Sequence, residues 1–319
     1  MSLHTVTVSV ANVWTHRHAP REIDFTMLEQ PVDVRAWLQS LTYENRLELC
    51  TKNLVQTQVL FGEEVEVFTE KAGWAQVVVP SQPSIKDERG YPGWIPLSCL
   101  AKSRPQRVET IVVIQKPTAY LYTGKKKIKT FELSFLTKLA VLSENSEWFE
   151  VETPIGHGWL KKEDVKMSTN AKGSGVDIVQ TGETFLKLPY LWGGMSGFGY
   201  DCSGFTFNML KANGYQVPRD ASDQAEGGEA IAFDRPEPGD LLCFADEEGT
   251  GRVHHVGFYY GNGQMIHSPK TGKSIEMITL EGTDYQKELC TIRRYFLENG
   301  GDSVGKTNIV KCQSTKNTF

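Results

Sequence analysis

The first fifteen positions alternate between apolar and polar residues, with Val6, Val8, Val10 and Val13 as the apolar set, and this period near two predicts a β-strand. Roughly residues 16–50 lose that period, and the segment VRAWLQSL within them predicts a helix-rich insertion. From Val55 the short-strand pattern returns, and it repeats. GEEVEVFTEKAGWAQV and TKLAVLSENSEWFEV align so that Val65, Val67, Glu70, Trp74 and Val77 match Leu139, Val141, Glu144, Trp148 and Val151, at a constant offset of 74. Gly93–Trp94–Ile95 and Gly158–Trp159–Leu160 close the two copies at an offset of 65, so the first copy carries a loop nine residues longer, PSQPSIKDERGYPG. Two strand-rich units of roughly 60 residues predict two small β-barrels.

A polar linker, STNAKGSG (168–175), separates the repeat from the C-terminal half of the chain. Next come a predicted helix around Gly175–Leu186, a Gly-rich run (Gly193, Gly194, Gly197, Gly199), a helix led by Cys202 and stopped by Gly214, and the loop VPRDASDQA. Strand patterns close the chain: GDLLCFA (239–245), VHHVGFYYG (253–261), GQMIHSP (263–269) and LCTIRRYFL (289–297). Helices first and an antiparallel sheet afterwards define an α+β domain. The expected divisions are a first barrel with its insertion over 1–103, a second barrel over 104–168, the α+β domain over 176–298 and a polar tail over 299–319.

Charge changes the picture by exclusion. A net charge of −5 and a pI near 5.9 argue against a surface built for nucleic acid or an anionic membrane. The Lys125–Lys127 cluster reads as a solvated loop. The N-terminus has neither the basic start nor the apolar core of a secretory signal, so a cytoplasmic location is expected. The tail holds GGDSVGKT (300–307), which fits a phosphate-loop pattern, but twelve residues cannot supply the parallel strands such a loop serves. His16 and His18 have no neighbouring carboxylate or cysteine cluster to complete a metal site.

Six scattered cysteines form no C-x-x-C pair, and Cys243 and Cys290 lie in apolar strand patterns as inert thiols. Cys202 differs from them. At a helix start, unpaired N–H groups and the helix dipole are expected to lower its pKa below that of a free thiol, with Asp201 as N-cap. A thiolate needs a proton acceptor that later donates to the leaving amine, which is work for histidine. His254–His255 and His267 lie on consecutive strands joined by Gly261–Asn262–Gly263, which makes His255 and His267 cross-strand or diagonal neighbours. Along the strand His254 shares a face with Val256, Phe258 and Tyr260, a core-like set, whereas His255 shares one with Gly257 and Tyr259, which favours His255 as the base.

PYLWGG, DCSGF, PGDLLCF, HHVGFYYGNG and MIHSP, in that order across about 176–298, resemble the NlpC-type bacterial cell-wall cysteine peptidases, a papain-like family. The resemblance implies a papain-like α+β peptidase domain preceded by two SH3-like β-barrels, with Cys202 as nucleophile, His255 as general base and acid, His267 as the orienting residue, and no metal or organic cofactor. Two barrels, the helical insertion and GYPGW (90–94) are similar to the YkfC-type γ-D-glutamyl-L-diamino-acid endopeptidases. That likeness implies short murein peptides with a free N-terminal L-Ala as substrates, the ammonium held by Asp201, Ser203, Tyr91 and Glu63, and Tyr190 and Arg219 lining the rest of the groove. Two rival readings are an exported hydrolase of intact peptidoglycan and a non-catalytic muropeptide-binding module.

Overall fold

The computed structural model describes residues 2–103 and 110–296. The phosphate-loop pattern at 300–307, the polar tail and Cys312 lie outside the described residues.

The first barrel comprises β1 (Ser2–Val6), β2 (Val10–Trp14), β3 (Val55–Leu60), β4 (Glu64–Lys71), β5 (Trp74–Val79), β6 (Tyr91–Pro96) and β7 (Leu100–Lys102). The second comprises β8 (Ile111–Ile114), β9 (Thr118–Thr123), β10 (Ile128–Ser134), β11 (Lys138–Glu144), β12 (Trp148–Thr153), β13 (Gly156–Lys161) and β14 (Val165–Met167). The strand orders are β3-β2-β6-β5-β4-β1-β7 and β10-β9-β13-β12-β11-β8-β14, so the two match strand for strand. The matched tryptophans, Trp74 and Trp148, open β5 and β12. The expected single strand at the N-terminus is two, β1 and β2. Thr7 N–H turns to the Cys99 carbonyl and the chain bends before β2, but Val8 stays buried, so alternation runs on through the bend and hides it.

The insertion joins β2 to β3, where the second barrel has only the turn at Gly124–Lys127. It carries α1 (Val34–Ser40), capped by Asp33, and α2 (Tyr43–Thr51), capped by Thr42. Arg21 fixes it to itself: Nε and Nη2 donate to the two Asp24 oxygens and Nη1 to Glu48, while buried Trp37 donates to Asp24 at 2.9 Å.

The α+β domain begins with α3 (Gly175–Glu183), capped by Ser174, followed by the two-residue strands β15 (Met195–Ser196) and β16 (Gly199–Tyr200). Then come α4 (Cys202–Ala212) and α5 (Ala221–Glu226). The sheet holds β17 (Glu229–Ile231), β18 (Leu241–Ala245), β19 (Val253–Gly261), β20 (Gln264–His267), β21 (Glu276–Thr279) and β22 (Leu289–Arg294), in the order β17-β22-β18-β19-β20-β21. Helix α4 is buried from Ser203 through Leu210 because α3 covers one side and the sheet the other. Phe205 reaches Phe258 of β19 with ring centroids 6.0 Å apart.

Both barrels grip the Gly-rich run. Met195 N–H and Ser196 Oγ donate to Gln58 Oε1 of the first barrel, at 3.0 and 2.9 Å, and Trp192 Nε1 donates to the Val55 carbonyl. Gly197 N–H donates to Ser134 Oγ of the second barrel at 2.8 Å. A Cβ at Gly197 would stand 1.9 Å from the Pro117 carbonyl oxygen, so the close approach admits only glycine. These contacts fix the segment that leads into Cys202.

Candidate active site

Cys202 is the first residue of α4, where Asp201 caps the helix by accepting the Gly204 N–H at 2.6 Å. The thiol is within reach of the Ser203 and Val256 backbone N–H groups, which sets it against β19 one residue beyond His255. His255 is buried, and its Nε2 lies 2.7 Å from His267 Nδ1. Gly257 makes that pairing possible: a Cβ there would stand 2.9 Å from the His267 Cβ. The structure therefore brings Cys202, His255 and His267 to one place. It also puts Tyr285, which no sequence pattern marks, against both imidazoles, with centroids 5.1 and 5.2 Å away.

His254 does not join the core as the alternation suggests. The register of β18 against β19 shifts between Phe244 and Ala245, so His254 is bulged out of the ladder. Its Nε2 faces Glu288 at 3.4 Å and Asp246 at 3.9 Å on the surface.

The electrostatics overturn the expectation of an acidified thiol. Burial first, and then the Asp201 carboxylate, push the Cys202 thiol up to about 12, and the Ser203 N–H, Arg219 and the Val256 N–H offset only part of this. Burial, with His267 and His254 behind it, holds His255 well below its ordinary value. Burial brings His267 down to about 4. Burial thus favours the uncharged forms of the thiol and of both imidazoles, although Cys202 itself is only half-buried at the groove.

The depressed His267 value carries a stability prediction. Between the ordinary histidine value near 6.5 and about 4, the unfolded chain binds a proton at this position and the folded chain does not, so stability falls as pH drops through that window. The difference between these two values corresponds to about 3 kcal/mol. Urea unfolding at pH 7.5 and pH 4 should show the stability difference between the protein and its His267→Asn variant shrinking by about that amount; a constant difference would refute the assignment.

A groove of about 690 Å³ runs past Cys202, and Tyr91, Tyr190, Asp201, Ser203 and Arg219 all line it. Their bonding separates them. Asp201 is committed: beyond the cap it accepts the Gly193 N–H at 2.9 Å and Arg219 Nη2 at 2.6 Å. Ser203 Oγ accepts from Arg219 Nη1 at 2.8 Å. Neither carries uncompensated charge for an incoming ammonium. Glu63 is elsewhere: it accepts from Lys211 Nζ at 2.7 Å and from the Leu60 N–H. Lys211 stands nine residues along α4 from Cys202, about 13 Å at helical rise, so Glu63 serves the far end of the helix rather than the groove.

The cluster that does hold an ammonium is only half visible in the sequence. Tyr91 donates to Asp220 Oδ1 at 2.8 Å, across 129 residues of sequence. Lys86 Nζ donates to the Tyr91 hydroxyl, sits 2.9 Å from Asp220 Oδ2 and 3.2 Å from Gln56 Oε1, and lies over the Tyr91 ring. Asp220, Lys86 and Gln56 give no motif signal, because each becomes polar machinery only when the first barrel meets the loop after α4.

Comparisons with known proteins bear on the family and the fold. Residues 187–294 match the NlpC/P60 family and residues 114–167 match the YKFC SH3b2 domain. The chain is 52% identical, over 93% of its length and 100% of the relative's, to the γ-D-glutamyl-L-lysine dipeptidyl-peptidase of Bacillus subtilis strain 168. It is 40% identical to the protein of the same name from Bacillus cereus ATCC 10987, over 91% of this chain and 90% of that one. The crystal structure of an NlpC/P60 family protein from the same B. cereus strain superposes with a TM-score of 0.90 at 38% identity, covering 93% of this chain and 100% of that one. Identity that spans both barrels and the α+β domain together makes this chain a cysteine peptidase of the NlpC/P60 family.

Proposed function

We propose that the chain hydrolyses the amide between γ-D-glutamate and an L-diamino acid in short murein peptides that begin with a free L-alanine. The observation that carries the reading is the ammonium already bound at one end of the groove, that of Lys86 on Asp220, Tyr91 and Gln56. A carboxylate, a phenol and an amide oxygen that hold one ammonium suit another. A peptide's terminal –NH3+ takes this place by displacing the Lys86 ammonium, whose side chain is 40% exposed and free to swing away. The names of the B. subtilis and B. cereus relatives specify a γ-D-glutamyl-L-lysine bond, one member of this class. Free peptides of this kind arise from wall turnover, which fits a cytoplasmic enzyme of recycling. Among the described residues no helix is long and apolar enough to cross a membrane.

In the reaction, Cys202 Sγ attacks the γ-carbonyl carbon while its proton passes to His255 Nδ1, the ring nitrogen not committed to His267. With the Gly204 N–H held by Asp201, the Cys202 N–H at the start of α4 has no intrahelical acceptor and donates to the developing oxyanion. Collapse returns the proton from His255 to the leaving amine and yields the thioester. Water then attacks, with His255 as base, releasing the glutamate γ-carboxylate and restoring the thiol. Tyr190 lines the groove beside the thiol, and Arg219 acts from behind by neutralising Asp201.

Mass spectrometry of products from L-Ala-γ-D-Glu-diaminopimelate, its N-acetylated form and intact sacculi tests the reading. Cleavage confined to the free-amine peptide supports it, and equal cleavage of the acetylated form overturns it. Asp220→Asn should raise KM for the free-amine peptide roughly ten-fold with kcat little changed, as expected when one charge-assisted contact remote from the reacting bond is lost.

A further inference from the structure

The His255–His267 contact requires a direction. Once His255 has taken the thiol proton, both its ring nitrogens carry hydrogen, so Nε2 donates and His267 Nδ1 accepts across the 2.7 Å contact. His267 then carries its own hydrogen on Nε2. That nitrogen is buried and has no hydrogen-bond partner among the described residues. A buried N–H left unpaired is costly, and costlier still when its ring must share a positive charge. Facing it is the carboxylate of Glu276, with Oε1 3.7 Å away. Glu276 is the register partner of His267 in β21 and its side chain is 44% exposed, so the small rotation that would close the gap is open to it.

We propose that Glu276 is a positioning residue, which accepts the His267 Nε2 hydrogen, fixes the Nε2–H tautomer and so holds His255 ready as a base. The inference rests on the reading of Cys202 and His255 as nucleophile and base. The other titratable groups around the pair are Cys202 from α4, His254 from the same strand, and Tyr285 and Glu288 from the short helix Asp284–Glu288. Glu288 is engaged with His254 at 3.4 Å, which leaves Glu276 as the anion directed at His267.

The test compares the full chain with Glu276→Ala and Glu276→Gln on L-Ala-γ-D-Glu-diaminopimelate, measuring kcat, KM, melting temperature and the pH profile of kcat/KM. Glu276→Ala should lose roughly ten-fold in kcat, the scale of a charge-assisted bond at a half-exposed carboxylate, with KM and melting unchanged. Its acid limb should move to lower pH, because removing the anion destabilises the imidazolium of the pair. Glu276→Gln, whose amide oxygen still accepts, should recover most of kcat but keep the shifted limb. Nitrogen-15 NMR should find His267 protonated on Nε2 in the parent and as a tautomer mixture in Glu276→Ala. A kcat within about two-fold of the parent, a loss of kcat with an unmoved acid limb, or a resting His267 protonated on Nδ1 would each overturn the proposal. Cys202→Ala in the same assay separates the two readings: turnover retained there removes the catalytic assignment and the Glu276 role with it.

Discussion

Cys202→Ala should lower turnover of the free-amine peptide by ~10⁴-fold or more while leaving circular dichroism and melting unchanged. The size reflects the parts removed. Without sulfur there is no thioester, and the His pair has no proton to receive. Stability should hold because the side chain is small, Asp201 still caps α4 through the Gly204 N–H, and the surrounding apolar contacts come from Phe205 onward. A second thiol, Cys50, lines the same groove and supplies the control. It sits near the C-terminal end of α2, where the helix presents carbonyls instead of N–H groups, and burial and Asp201 raise its pKa. Cys50→Ala should therefore keep full turnover, and loss of activity in that variant with Cys202→Ala still active would reverse the roles.

The largest effect on stability is expected at Arg219. Its guanidinium is 2% exposed and donates to Thr57 Oγ1 at 3.0 Å, Ser203 Oγ at 2.8 Å and Asp201 Oδ2 at 2.6 Å, while its own N–H reaches the Pro83 carbonyl. One side chain thus neutralises the capping carboxylate and ties the peptidase domain to the first barrel. Arg219→Met should cost about 3–5 kcal/mol in urea unfolding, because it strands a buried carboxylate. Arg219→Lys should recover little, since an ammonium cannot reproduce the fork of three separate bonds. Adding Asp201→Asn to Arg219→Met should restore part of the loss by removing the stranded charge. A loss below about 1 kcal/mol for Arg219→Met, or strictly additive losses in the double variant, would show that the pair is not coupled in this way.

Much of this architecture is legible in the sequence. The offset of 74 between Trp74 and Trp148 reports two barrels because each tryptophan opens the same strand of the same topology. The pairing of His255 with His267 is legible because its spacing is local, one hairpin with Gly257 leaving room, whereas Cys202, on a helix start 53 residues before His255, reaches them only through the packing of α4 on β19. The features that escape have physical reasons. His254 reads as core although it lies on the surface, because a bulge breaks the period of two and bulges leave no apolar signature. The thiol reads as acidic because a helix start is visible in sequence, whereas the burial that outweighs it is a property of the assembled groove. Asp201 and Glu63 read as groove carboxylates because the partners that engage them, Arg219 and Lys211, are distant in sequence, and Asp220 gives no signal because Lys86 and Tyr91 reach it only across the domain boundary.

The grip of both barrels on the Gly-rich run bears on how such a protein can evolve. Adhesive repeats in many multidomain chains are interchangeable, exchanged by recombination with little regard for their neighbour. Here Gln58 and Ser134 satisfy amides that lead directly into the nucleophile, and Pro117 admits only glycine at position 197. A foreign barrel would bring none of these partners. Exchanging either barrel would therefore strip acceptors from the amides that lead into Cys202.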